Sequence, residues 1–114
     1  MSDCIFCKII NKEIPSTVVY EDDKIFAFKD INPVAPVHVL IVPKKHIDGA
    51  DKITSDDNEI LGYLWSKIKD IAKLCGVLED GFRIINNCGE NGGQTVRHLH
   101  FHLIGGTSLG EKLI

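Results

Sequence analysis

The sequence predicts an α+β fold: a five-stranded antiparallel sheet with one long and one short helix. Short segments rich in β-branched and aromatic residues recur between turn-forming residues, as is typical of strands. One long segment follows the 3.6-residue period of an amphipathic helix. The links between segments are short, which favours antiparallel pairing because parallel strands need long crossover connections.

The first part of the chain is predicted to form a short helix and then a hairpin. Residues 4–11 suit a short helix or turn, which must stop before Pro15 because the residue preceding a proline disfavours the helical conformation. Two strands follow at residues 17–20 and 25–28, joined by the charged turn 21–23.

The middle of the chain contains a shaped loop, a strand and the long helix. Residues 30–36 include two prolines, which excludes a central strand. Residues 38–42 form an apolar strand. Residues 54–57 offer capping hydroxyls and then acids suited to the positive end of a helix dipole. Apolar residues then recur at helical spacing until Gly76, which can terminate the helix.

Three of the five histidines lie close together near the end of the chain. A strand at residues 82–87 and a glycine-rich loop precede His98, His100 and His102, which alternate with apolar residues. A period of two predicts a strand with all three imidazoles on one face and the apolar residues facing a core. Neighbouring imidazoles repel when protonated, so we expect a fixed pattern of neutral and charged rings.

Length and composition predict one domain, residues 1–114, with an ordinary core. The formal net charge is −3, and no basic excess favours a nucleic acid as partner. The N-terminus does not resemble a secretory signal, and no apolar run approaches the roughly 18 residues that span a membrane. We therefore expect a cytoplasmic protein with no membrane partner.

The four cysteines are expected to be thiols or metal ligands, since disulfides are rare in the cytoplasm. Cys75 fits the apolar face of the long helix as a buried thiol, whereas Cys88 has no assigned role. Cys4 and Cys7 have the spacing of metal ligands, and His46 follows a strand that should lie near the histidine cluster. A redox role for this pair lacks the βαβ context that it requires.

The loop before the histidines is suited to binding an anion. Gly92 and Gly93 can adopt positive φ and expose backbone N–H groups, and Thr95 adds a hydroxyl. It is not a P-loop, because no Gly-Lys-Ser/Thr follows, and most such stretches are hairpin turns. Beside three histidines, however, the loop favours an anionic substrate.

Residues 98–104, His-Leu-His-Phe-His-Leu-Ile, resemble the signature of the histidine triad superfamily. Residues 5–15, 28–33, 38–46 and 92–95 are similar, in the same order, to blocks of its histidine triad nucleotide-binding branch. The resemblance covers nearly the whole chain.

The resemblance implies hydrolysis of purine nucleoside 5′-phosphoramidates to AMP or GMP through a nucleotidyl-histidine. His100 matches the nucleophile, and a neutral imidazole can attack phosphorus when its other nitrogen keeps a proton. His102 matches the residue that contacts a phosphate oxygen and protonates the leaving amine. His38 matches a histidine that positions the nucleophile. Thr95 replaces a serine that contacts the leaving group.

The resemblance also implies a set of nucleotide-binding residues. Asp30 matches the carboxylate that binds the ribose, although it also suits a turn. The phosphate contacts fall on Asn87, Gly93, Gln94 and the Thr95 amide. The walls of the base site fall on Ile5, Phe6, Phe28 and Ile31; plain core is the alternative for the two phenylalanines.

Two further implications concern zinc and a partner. Some relatives bind structural zinc through residues that match Cys4, Cys7, His46 and His98, a set with no open position, while many relatives lack the cysteines. The resemblance also favours a homodimer with a continuous sheet, joined by the long helix and an edge strand. Monomer core is the alternative role of the helix's apolar face, which carries Trp65.

Two other functions remain open from the sequence. One is a dinucleoside polyphosphate hydrolase of the same superfamily, which differs in substrate rather than in chemistry. The other is a non-enzymatic nucleotide-binding or metal-binding protein with the histidines as a metal site. Against the latter, we expect no carboxylate near the histidines to complete a ligand set.

Overall fold

The computed structural model describes residues 3–114, which contain a five-stranded antiparallel sheet and two α-helices. The sheet order is β1-β2-β3-β5-β4. The elements are α1 (Ile5–Ile10), β1 (Val18–Glu21), β2 (Ile25–Lys29), β3 (Val37–Pro43), α2 (Asn58–Leu74), β4 (Phe82–Ile85) and β5 (Phe101–Gly105). The predicted α+β class and its antiparallel sheet are confirmed.

The two helices cover opposite faces of the sheet. Helix α2 buries Leu64, Ile68 and Ile71 against alternate residues of β2, β3 and β5. Helix α1 buries Phe6 and Ile9 against the residues that point the other way, Phe26, Phe28, Leu40 and Val42. Both faces of the central strands are therefore buried, and the apolar runs of β2 and β3 reflect this.

The pairing of β3 with β5 brings two histidines together. Leu40 lies opposite His102, and His38 precedes Leu40 by two residues, so all three side chains lie on the α1 face. On the other face, β5 directs Phe101 and Leu103 into the core under α2.

Helix α2 begins four residues later than the first capping residue. Thr54 and Asp57 form a capping box, in which the Thr54 hydroxyl accepts from the backbone N–H of Asp56 and the Asp57 carboxylate accepts from that of Thr54. These residues shape a 3₁₀ turn, Ser55–Asp57, before α2. Past its end, Gly76 has a φ of 77°, as expected for a residue that terminates a helix.

The strand boundaries around the histidines differ from the prediction. Strand β4 ends at Ile85, and β5 begins at Phe101, so His98 and His100 precede the strand. Here other hydrogen bonds replace the ladder: the Asn86 amide donates to the carbonyl of His100, and the N–H of Leu99 donates to the carbonyl of Ile47. The alternation of faces persists nevertheless.

Two smaller features also differ from the prediction. A 3₁₀ turn at Ala50–Lys52, which the sequence pattern did not indicate, follows β3. Cys75, expected to be buried, is half-buried at the end of α2. No helix within residues 3–114 has both the length and the apolar character needed to cross a bilayer.

Candidate active site and metal cluster

A cavity of about 300 Å³ lies between α1, the ends of β2 and β5, and the loop before the histidines. Its size is at the lower end of the range for small-molecule sites. Eight of the residues expected at a nucleotide site line it: Ile5, Phe6, Phe28, Asp30, Ile31, Thr95, His100 and His102.

Phe6 serves both the core and the cavity. Its side chain is buried, and its ring meets Phe28 edge-on at 5.5 Å between centroids. The same ring contacts His100 at 5.0 Å with an interplanar angle of 90°. Phe6 and Phe28 therefore have both of the roles considered for them: each belongs to the core and also forms part of the cavity wall. Ile31 lies at the rim, with 89% of its surface exposed.

The hydrogen bonds of His100 define its tautomer. Nδ1 lies 2.7 Å from the carbonyl oxygen of His98, and a carbonyl can only accept, so Nδ1 carries the proton. Burial lowers the pKa of His100, which leaves the ring neutral near pH 7. Nε2 therefore has a free lone pair, as a nucleophilic imidazole requires.

His38 and His102 form a directed pair of rings. The backbone N–H of Val34 donates to Nδ1 of His38 at 3.1 Å, so the proton of His38 is on Nε2. That proton points at Nδ1 of His102, 2.9 Å away, which leaves the His102 proton on Nε2. Burial, with the nearby His100 and His38 rings, lowers the pKa of His102 to about 4.

The three rings of the motif do not show the expected mixture of neutral and charged forms; they differ in tautomer instead. Burial also lowers the pKa of His98 to about 4. All three histidines of the motif are neutral near pH 7, and each has one nitrogen that donates and one that accepts.

A carboxylate does lie beside the histidines, contrary to the expectation from the sequence. The Asp30 Oδ2 is 3.4 Å from Nε2 of His38, and the backbone N–H of Asp30 donates to the His38 carbonyl at 3.0 Å. Asp30, His38 and His102 are close enough to hold a cation. However, the N–H of Val34 leaves the His38 proton on Nε2, the nitrogen that would face the ion, and this proton lies near both Nδ1 of His102 and the Asp30 carboxylate.

Gln94 holds the glycine-rich loop together. Its Nε2 donates to the carbonyls of Asp48 (2.7 Å) and Val96 (2.9 Å), and its Oε1 accepts from the N–H of Gly89 and from Arg97. These bonds occupy both amide protons and both lone pairs.

The other residues expected to contact phosphate lie outside the cavity lining. Asn87 donates its amide to the carbonyl of Gly92 at 2.7 Å, and Gly93 has the expected positive φ, 83°. Gly92 has no positive φ. It is required instead by close packing, because a Cβ there would meet the Cys88 carbonyl oxygen at 2.2 Å. Phosphate contact by Asn87, Gly93 and Gln94 stays a prediction.

The four residues expected to bind zinc lie together at the N-terminus of α1. The ligand atoms of Cys4, Cys7, His46 and His98 all lie within 4.8 Å of one another. Nδ1 of His98 is 3.4 Å from the Cys4 sulfur and 3.6 Å from the Cys7 sulfur, which is also 3.4 Å from Nδ1 of His46. A sulfur–nitrogen edge of a tetrahedral zinc site is about 3.6 Å, given the usual bond lengths.

The outer hydrogen bonds of this cluster prepare both imidazoles as ligands. Nε2 of His98 donates to the Pro43 carbonyl at 2.9 Å, and Nε2 of His46 donates to Asp48 at 2.7 Å. Both Nδ1 lone pairs therefore face the sulfurs. The N–H of Cys7 also donates to the Cys4 sulfur at 3.3 Å. The donor set fits a closed, structural zinc site.

Sequence reasoning missed three groups in this region. They are the backbone N–H of Val34, the carboxylate of Asp30 as a neighbour of His38, and the Asp48 carboxylate, which accepts a hydrogen bond from Nε2 of His46. The Asx turn in which Asp30 accepts from the N–H of Asn32 at 2.8 Å was visible as an Asp-x-Asn-Pro pattern. The partner of a backbone N–H has no counterpart in residue identities.

The comparison with known proteins identifies the class. A family model described as the HIT domain matches residues 11–109, so the chain belongs to the HIT domain family. It is similar to the HIT family hydrolase from Clostridium thermocellum, with a TM-score of 0.96, 48% identity, and coverage of 100% of this chain and 99% of that one.

Two curated relatives carry more specific descriptions. The 14 kDa zinc-binding protein of Zea mays is 54% identical over 110 residues, which is 95% of this chain and 85% of that protein. The purine nucleoside phosphoramidase of Escherichia coli K12 is 44% identical over 111 residues, 97% of this chain and 93% of that protein. Hydrolases of the HIT family are therefore among the close relatives of this chain.

Proposed function

We propose that this protein hydrolyses the P–N bond of purine nucleoside 5′-phosphoramidates and releases AMP or GMP. The observation that carries the proposal is the tautomer of His100: Nδ1 donates to the His98 carbonyl, and Nε2 has a lone pair in a ring that lines the cavity. The description of the Escherichia coli relative as a purine nucleoside phosphoramidase supports the substrate class.

The reaction proceeds in two displacements at phosphorus. Nε2 of His100 attacks, and the electron pair of the breaking P–N bond leaves with the amine nitrogen, which takes a proton through Nε2 of His102. A proton from solvent replaces the one that His102 gives up, so His102 stays neutral and the phosphorylated His100 ring carries the positive charge. Water then attacks phosphorus, one of its protons returns to solvent, and His100 is freed with the nucleotide.

The walls of the cavity suit a nucleoside. Phe6 and Phe28 offer ring edges to a base, and Asp30 offers a carboxylate to ribose hydroxyls. Thr95 lies beside His100 and His102 in the lining, where its hydroxyl can contact the leaving group. The volume of about 300 Å³ favours a mononucleotide over a dinucleoside polyphosphate.

We also assign structural zinc to Cys4, Cys7, His46 and His98. Zinc there holds the start of α1 to the segments that carry the two histidines and takes no part in the chemical steps. The maize relative is described as a zinc-binding protein, which supports this assignment.

A homodimer completes the proposal. β4 is the edge strand of the sheet beside β5, and the Trp65 side chain on α2 remains 51% exposed although its ring packs against Phe101 at 5.7 Å. An exposed edge and an exposed tryptophan suit a two-fold interface. Light scattering should give twice the chain mass, and Trp65→Glu should give the single mass.

The activity is tested with adenosine 5′-phosphoramidate. The wild-type protein should release AMP, and His100→Ala should reduce kcat by at least a thousandfold, about the contribution expected of a covalent nucleophile. Lys67→Ala, a partly exposed residue of α2 outside the cavity lining, serves as the control. Release of AMP by His100→Ala at the wild-type rate would refute the nucleophile, and preferential cleavage of a dinucleoside polyphosphate would refute the substrate class.

A further inference from the structure

One hydrogen atom beside the cavity lies near two acceptors. The proton on Nε2 of His38 points toward Nδ1 of His102 at 2.9 Å, and the Asp30 Oδ2 lies 3.4 Å from the same nitrogen. The carboxylate carries a full charge but lies farther away, so the two acceptors compete for one donor.

The backbone holds Asp30 in this position. Its N–H donates to the carbonyl of His38, and its Oδ1 accepts from the N–H of Asn32. The remaining oxygen therefore stays near His38, whose side chain is only 5% exposed. Water therefore has little access to the His38 ring and does not replace either acceptor. The Asp30 side chain, by contrast, is 19% exposed and can accept hydrogen bonds from a ligand in the cavity.

We propose that Asp30 is a positioning residue that couples recognition of the ribose to the proton donor His102. When the 2′- and 3′-hydroxyls donate to Asp30, its charge is satisfied, and the His38 proton belongs to Nδ1 of His102 alone. This bond fixes the tautomer and orientation of His102, with Nε2–H directed at the reacting groups. The inference rests on the proposed function and extends it, because the hydroxyls then contribute to turnover as well as to binding.

The coupling thus predicts that removal of the ribose hydroxyls changes kcat as well as KM, whereas a simple ribose contact predicts a change in KM alone. A substrate without the 2′- and 3′-hydroxyls leaves Asp30 free to compete for the His38 proton. We expect kcat for that substrate to fall about tenfold, the effect of losing roughly one hydrogen bond, in addition to a higher KM. If Asp30 only binds ribose, KM rises and kcat does not change.

The experiment pairs two substrates with three variants. Adenosine 5′-phosphoramidate and its 2′,3′-dideoxy analogue are compared in the wild-type protein, in Asp30→Asn and in His38→Gln. Either substitution removes one party to the competition, so the ratio of the two kcat values should fall from about ten toward one. Asp23→Asn, an exposed acid in the β1–β2 turn, should keep the wild-type ratio. A wild-type ratio of one, or an unchanged ratio in both variants, would overturn the inference.

A binding measurement separates this inference from the proposed function. In wild-type protein with ¹⁵N-labelled histidine, saturation with AMP should shift the Nδ1 resonance of His102 toward the hydrogen-bonded acceptor position, and saturation with 2′,3′-dideoxy-AMP should not. If this holds while the phosphoramidate is not cleaved, the proposed function fails and the coupling stands. If the phosphoramidate is cleaved and both ligands shift the resonance equally, the function stands and the coupling fails.

Discussion

Nδ1 of His100 donates to the carbonyl oxygen of His98 at 2.7 Å, while the side chain of His98 belongs to the cysteine cluster. The two residues are neighbours in one motif but act in different sites. The ring of His98 is anchored on both sides, by the Pro43 carbonyl at Nε2 and by the sulfurs at Nδ1, and the ring of His100 takes its orientation from the backbone so anchored.

Loss of the metal ligands should therefore weaken more than metal binding. Cys4→Ser combined with Cys7→Ser should reduce bound zinc from about one equivalent to near none, and also reduce the thermal stability, because α1 loses its anchor. Elemental analysis of protein purified without a metal-affinity tag, with a thermal melt, measures both. Cys75→Ser, at the end of α2, is the matched cysteine control. Absence of zinc from the wild-type protein would contradict the assignment.

Phe6 is predicted to matter to both stability and binding. Phe6→Ala removes a buried ring from contacts with Phe28 and His100, so unfolding should cost about 3 kcal/mol less and KM should rise. Ile31→Ala, at the exposed rim of the same cavity, should change stability by less than about 0.5 kcal/mol. Denaturant unfolding and steady-state kinetics measure these effects. Equal losses of stability in the two variants would show that Phe6 is not part of the core.

Gln94 is predicted to act on the loop rather than on phosphate. Gln94→Ala removes four hydrogen bonds, one to Asp48 after β3 and three to residues 89, 96 and 97, so stability should fall by roughly 2 kcal/mol. Gln94→Glu keeps the acceptor oxygen for Gly89 and Arg97 but loses the two donated bonds. Its stability should therefore lie between those of the wild type and Gln94→Ala. Denaturant unfolding without ligand measures this. A higher KM with unchanged stability would instead support the phosphate contact that the family resemblance implies.

Asp22 is predicted to make the fold sensitive to acid. Burial by itself would raise the pKa of Asp22, but hydrogen bonds from the Tyr63 hydroxyl, two backbone N–H groups and the Tyr20 hydroxyl outweigh it and lower the pKa from 3.8 to about 2. A carboxyl whose pKa is lowered in the folded state stabilises it above its unfolded pKa. This contribution, on the order of 1 kcal/mol after solvent screening, should disappear as the pH falls from about 4 to about 2.

Urea unfolding between about pH 5 and pH 2 measures the effect of Asp22. Asp22→Asn should lower stability at neutral pH and flatten its pH dependence in that window. Asp23→Asn, the exposed neighbour in the same turn, should leave the curve as in the wild type. Parallel curves for the wild type and Asp22→Asn would show that the three-way contact with Tyr20 and Tyr63 does not set the acid limb.

The sequence was sufficient for the fold class because its periodicities are unambiguous. The helical spacing from Ile60 onward and the alternation from His98 to Leu103 each specify which side chains share a face, and burial follows these patterns. The order of the strands and the start of β5 were not predictable in this way. Residues 98–100 have a strand pattern, but their backbone groups bond to Ile47 and Asn86, which are distant in the chain.

The candidate site shows the same division. Most residues expected from the family resemblance line the cavity or belong to the metal cluster, since the resemblance matches them one by one. What the sequence could not show is how the side chains are connected: that Val34 sets the tautomer of His38, that Asp30 lies within reach of the same ring, and that Gln94 uses its hydrogen bonds to hold the loop, one of them to Asp48. These depend on backbone positions and on contacts across the sheet.

The packing of Trp65 against Phe101 gives the molecule an intrinsic optical reporter. Trp65 is the single tryptophan of the chain, and Phe101 lies between His100 and His102. The emission of one indole ring, half exposed and half against β5, responds to any shift of β5, the strand that carries His102. A ligand that shifts β5 should therefore change the fluorescence of the unlabelled protein, with no residue of the site altered.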